Sequence, residues 1–211
     1  MALFREHLAV GSLVALFGCG ALFFTALLTD PILLGIFFLV VVVMSFAPDL
    51  DSDESTPYRI IFGTFTIAVT WLSIDYSLHL FPNDLQLLIS IPCATFLFVW
   101  FFVGILFQAW TRHRGMFHSI PAIGIAALLI YLVARSYLED DIHVLIFALG
   151  AGAGYFTHLL LDELYATETL SGRPFRFKRS LGTALKWRSA SSFNSLFTYL
   201  LLVTLVYLAV Q

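Results

Sequence analysis

Gly154-Tyr155-Phe156-Thr157-His158-Leu159-Leu160-Leu161-Asp162-Glu163 closes an apolar run that begins at Ile142. About 20 such residues cross a bilayer core as one helix, so the run reads as a membrane span. A helix stacks residues four apart on one face, which aligns His158 with Asp162. An imidazole and a carboxylate so placed can grip one metal ion. An isolated pair is more simply read as a His–Asp hydrogen bond at a helix end. The positions of the other ionisable residues decide between the two.

Outward from that run the chain stays apolar. Of its 211 residues 60% are hydrophobic and 12% charged, with 22 Phe and a mean hydropathy of +0.91. A soluble domain carries about 25% charged residues. The composition therefore implies an all-α, polytopic transmembrane helix bundle, a single membrane-embedded domain over residues 1–211. The net charge of −3 argues against a nucleic-acid partner. Cys19 and Cys93 lie in separate apolar runs without a spaced partner, and read as small packing residues.

Seven spans are expected: Leu8–Thr29, Pro31–Ala47, Tyr58–Phe81, Leu85–Trp110, Ile120–Tyr137, Ile142–Leu161 and Ser192–Val210. The first is too long for a signal-peptide core and no small-x-small cleavage pattern follows it, so it reads as a retained span. Breakers such as Asp30-Pro31, Pro48 and Pro82-Asn83-Asp84 separate the spans. With alternate loops assigned to alternate sides, 10 of the 11 Lys and Arg share one side, and only Arg135 faces the other. The positive-inside rule makes the basic side cytoplasmic, with the amino end inside. Asp30, Asp75, Asp84, Glu139, Asp140 and Asp141 fall outside.

This topology gathers chemistry at one face. His7 opens the first span; Asp49 and Asp51 follow the second in Ala47-Pro48-Asp49-Leu50-Asp51; His113 and His118 follow the fourth; His158 and Asp162 end the sixth. Hydropathy alone did not require this convergence. Neutral imidazoles and carboxylates suit a divalent ion that keeps a position open for water. Such an ion lowers the pKa of its water to about 7. Two ions sharing a bridging carboxylate need roughly six to eight ligands, and seven candidates are on offer. Separately, each piece has a plain reading: a solvated acidic loop for 49–54, an interfacial His7, loop histidines at 113 and 118. Arg114 between those histidines suits a phosphate or another oxyanion, or serves as a positive-inside anchor. The basic–aromatic segment Arg173–Arg179 reads chiefly as an orientation signal, and can also lie on anionic headgroups. Gly150, Gly152 and Gly154 read as points of close helix approach. His79 and His143 fall on the opposite side and read as structural.

Pro48-Asp49-Leu50-Asp51-Ser52, His113-Arg114-Gly115-Met116-Phe117-His118-Ser119 and Gly154–Asp162 together resemble motifs of the YdjM-like bacterial family of LexA-regulated, inner-membrane, metal-dependent hydrolases. His7 matches in kind, and Lys178–Lys186 looks like a subgroup's tail. That family is itself thought to be distantly similar to zinc-dependent phospholipase C and P1-type nuclease, all-helical phosphodiesterases with clustered zinc ions. The resemblance implies phosphoester hydrolysis at the inner membrane of a bacterium. This chain departs from the soluble enzymes in being membrane-embedded and in offering fewer evident ligands.

The resulting expectation is a membrane-bound, metal-dependent hydrolase. His7, Asp49, Asp51, His113, His118, His158 and Asp162 hold one or two ions, zinc or manganese. Asp49 or Asp51 orients the attacking water, and Arg114 steadies charge on the substrate. The substrate is a phospholipid or another lipid phosphoester at the cytoplasmic leaflet, with an amide or acyl ester as a further candidate. The rival is a divalent-metal transporter or sensor built on the same cluster. It predicts a polar path through the bilayer, and no polar series joins Asp75, His79 and His143 to the cluster. A structural membrane protein without catalysis is the third class.

Overall fold

The computed structural model describes residues 3–51, 56–106, 117–166, 185–188 and 191–211. Among these every regular element is helical. In chain order they are α1 (Phe4–Phe24), α2 (Pro31–Met44), a 3-10 turn (Ala47–Asp51), α3 (Thr56–Leu80), α4 (Leu85–Leu97) continued by a π-helical stretch (Phe98–Val103), α5 (Ile120–Arg135), α6 (Asp141–Ala166) and α7 (Ser192–Val210). Among the described residues five stretches are long and apolar enough to cross a membrane: Phe4–Phe24, Tyr58–Leu80, Leu85–Leu106, Asp141–Tyr165 and Ser192–Val210. The apolar helices α2 and α5 have 14 and 16 residues. At 1.5 Å per residue they reach only about 21 and 24 Å, against a hydrocarbon core of about 30 Å.

Helix ends follow hydrogen bonding more closely than hydropathy. α1 starts at Phe4, ahead of the expected Leu8, because the Leu3 amide donates to the Glu6 carboxylate at 2.6 Å. It stops at Phe24, ahead of the expected Thr29. There Ala26 turns left-handed (φ 57°), while the amides of Ala26 and Leu27 donate back to Phe23 and Leu22. Three acidic residues assigned to the outer face are helix caps. Asp30 accepts from Ile32 and Leu33 at 2.7 and 3.0 Å, Asp84 from Leu87 at 3.1 Å, and Asp140 from Ile142 at 2.8 Å. Arg135, the one base assigned to that face, donates to the last turn of α7 at Ala209 O (3.3 Å).

The chain forms two compact units, Met1–Pro48 with Arg114–Gln211, and Asp49–His113. In the first, α6 is the axis. It touches α1, α2 and α5, and α7 packs on α5. Of its apolar stretch 61% is buried, against 17% for each other long candidate span. Small side chains make this packing close. A Cβ at Gly154 would collide with the Val41 carbonyl of α2 and sit 3.1 Å from Met44 Cβ; one at Gly150 would strike the Phe37 ring. One at Gly11 would overlap the Ser45 side chain. Ala15 and Ala151 are fully buried. Such stripes let helices approach where lipid supplies no hydrophobic drive. In the second unit α3 and α4 form a hairpin about Pro82-Asn83-Asp84. Tyr58, Phe62 and Val99 are its buried cluster, with the Tyr58 and Phe62 rings stacked at 5.2 Å.

Candidate metal centre

Four of the candidate residues meet inside the first unit. His7 stands in the first turn of α1, and His118 precedes α5. His158 and Asp162 are one turn apart near the end of α6. All four are buried, His7 and His158 at 0% exposure and His118 and Asp162 at 4%.

Backbone contacts place the three histidines. Ser45, just past the end of α2, is the hub. Its hydroxyl lies 2.7 Å from Val42 O and 3.2 Å from His7 O, and its carbonyl accepts from His158 Nδ1 at 2.9 Å. A carbonyl can only accept, so Nδ1 of His158 carries the proton and Nε2 presents a lone pair. This is the outer hydrogen bond that metal-binding histidines commonly make. His118 is held through its neighbour: the Tyr155 hydroxyl of α6 donates to Phe117 O at 2.7 Å. The Ile120 amide then bonds Lys186 O at 2.9 Å, securing the start of α5.

The three imidazoles surround one carboxylate. His7 Nε2 lies 3.4 Å from Asp162 Oδ1, while His118 Nε2 and His158 Nε2 lie 3.5 and 3.9 Å from Oδ2. These separations exceed good N–H···O hydrogen bonds, which run about 2.7–3.2 Å. They suit the edge of a tetrahedron of nitrogen and oxygen about a metal bound at about 2.0–2.1 Å, which is about 3.3–3.4 Å. His118, His158 and Asp162 each offer an atom within 4.8 Å of the others. Among the described residues neither ring nitrogen of His7 makes a hydrogen bond, although the residue is fully buried. Burying an imidazole without a hydrogen bond is costly. A cation among these groups removes that cost and balances the carboxylate. The donor set therefore fits a divalent ion.

The remaining candidates divide. Asp49 is half-buried in the Pro-led turn, four residues after Ser45, and is the first residue of the second unit. Asp51 ends that turn. The Asp51 side chain, His113 and Arg114 lie outside the described residues, as does Arg173–Arg179. His79 pairs with Asp75 at 3.7 Å, both well exposed. His143 bonds Leu27 O at 3.2 Å and neighbours Asp140 at 3.7 Å. Both are accounted for by these local contacts. Sequence reading missed Ser45, Gly11 and Tyr155. Of these only Gly11, one turn after His7, carried a usable signal, a small residue at helical spacing from a candidate ligand.

No match to the chain was found among curated proteins or among solved structures. A family model does match, over residues 1–211, and its description is that of an inner membrane protein. Since that match covers the whole sequence, the chain belongs to the YdjM inner membrane protein family.

Proposed function

We propose that this protein is a membrane-bound, metal-dependent hydrolase of a phospholipid or another lipid phosphoester, working at the cytoplasmic leaflet. One observation carries the reading: three buried imidazoles face the Asp162 carboxylate at 3.4, 3.5 and 3.9 Å. His7, His118, His158 and Asp162 hold one or two ions, zinc or manganese, and Asp49, Asp51 and His113 are the further candidate ligands. A bound divalent ion supplies Lewis acidity and a water acidified to a pKa of about 7. The protein supplies the rest. Asp49 or Asp51 takes the proton from the attacking water, and Arg114 neutralises charge gathering on the phosphoryl oxygens.

The choice of a lipid substrate rests on position. The four buried ligands sit within about two turns of helix ends, at headgroup level if the helices span. The topology proposed is seven spans with a cytoplasmic amino end. Lys and Arg bias supports it, with the short helices α2 and α5 crossing beside the long axis of α6.

The test is hydrolysis of phosphatidylethanolamine and phosphatidylglycerol vesicles by the purified protein, with and without chelator. Release of headgroup or phosphate that chelator stops and added metal restores supports the proposal. Metal-replete protein that turns over no phospholipid class refutes it.

A further inference from the structure

The rings of His7 and His158 stack, with centroids 3.8 Å apart and planes 13° apart. An imidazole nitrogen donates to a metal along a lone pair lying in the ring plane. Two planes 13° apart converge only at roughly four times their separation, far beyond the metal–nitrogen distance of about 2.0–2.1 Å. One ion cannot lie in both planes. Two ions side by side can, and two-metal sites place them about 3.5–4 Å apart, the spacing at which these rings are stacked.

The carboxylate divides in the same way. Asp162 Oδ1 faces His7, at 3.4 Å. Asp162 Oδ2 faces His118 and His158, at 3.5 and 3.9 Å. The His118 ring is turned by 67° from that of His158, with centroids 5.4 Å apart. These two planes intersect steeply and can share one ion. His7 is the other member of the stack, fully buried, and among the described residues neither of its ring nitrogens makes a hydrogen bond.

We infer that the centre is binuclear, with His118, His158 and Asp162 Oδ2 holding one divalent ion, His7 and Asp162 Oδ1 holding a second, and Asp162 bridging them. The inference rests on the metal-binding reading above and adds to it the number of ions and the division of the ligands. His7 is the residue that separates a two-ion centre from a one-ion centre, and it acts from the first turn of α1, far in sequence from the α6 pair.

The test loads the full-length protein in detergent with manganese after chelator treatment. It reads ions per chain by elemental analysis and spin coupling by electron paramagnetic resonance. Wild type is expected to hold two ions with an exchange-coupled spectrum. His7→Ala is expected to hold one, with the uncoupled six-line signal of isolated manganese. His7→Gln, which keeps a polar group of similar size, is the second variant should the alanine protein not fold. The coupled wild-type spectrum needs no variant. One ion per chain in wild type, or two coupled ions in a folded His7 variant, overturns the inference. The hydrolase proposal fails separately: coupled ions without lipid turnover would sink that proposal and leave this one standing. Turnover by protein carrying a single ion would do the reverse.

Discussion

Asp162 is the residue on which the site turns, because both its oxygens face imidazoles in a setting closed to water. Asp162→Asn keeps the shape and removes the charge. It should lower metal affinity by at least about 100-fold, since losing even an outer partner of a ligand costs about 10–100-fold. Metal content after dialysis against a weak chelator checks this, with circular dichroism to confirm helix content. His158→Ala should do the same by deleting the ring that Ser45 orients. The sequence made this pair visible through its i, i+4 spacing in an apolar run. It left Ser45 invisible, because the atom that orients His158 is a main-chain carbonyl, which any residue possesses. Tyr155 was equally hidden, since its partner is the backbone of Phe117.

Between helices, the approach of α2 to α6 decides whether the ligands meet. Gly154 allows it, one turn before His158, by leaving room for the Val41 backbone. Gly154→Ala should cost about 1–3 kcal/mol of stability through overpacking, and should also weaken metal binding by displacing Ser45. Gly20→Ala is the matched control. Among the described residues, beyond its chain neighbours and its own helix backbone, nothing lies within 4 Å of its added Cβ. It should be neutral, or more stable by up to about 1 kcal/mol through helix propensity. Thermal unfolding in detergent distinguishes the two. The triplet Gly150, Gly152 and Gly154 was readable as a packing stripe, though not which glycine meets backbone. Gly152 has ordinary room beside Ala127 and Ile123 at 3.6 and 3.7 Å. Helix limits were less legible. Hydropathy does not see the Glu6 side chain that starts α1, or the left-handed Ala26 that ends it.

Across the protein, four distant places in the chain meet in one unit: the start of α1, the end of α2, the start of α5 and the end of α6. This meeting was legible because the expected topology returns alternate spans to the same face, so polar residues flanking odd and even spans would collect there. The acidic residues assigned to the other face have a local role that charge counting missed: Asp30, Asp84 and Asp140 cap helices. The proposed topology, seven spans with a cytoplasmic start, would place the carboxyl end outside the cell membrane. An alkaline phosphatase fused after Gln211 should therefore be active, and one fused at Leu50 should not. If the ions bind only the folded chain, removing them should lower the unfolding temperature. Saturation at 100 times Kd stabilises by about 2.7 kcal/mol. The most direct measurement is X-ray absorption at the zinc edge of purified, zinc-loaded protein. The account predicts nitrogen and oxygen ligands at about 2.0–2.2 Å with outer-shell imidazole scattering, lost in folded Asp162→Asn. Folded wild-type protein that retains neither zinc nor manganese would contradict it.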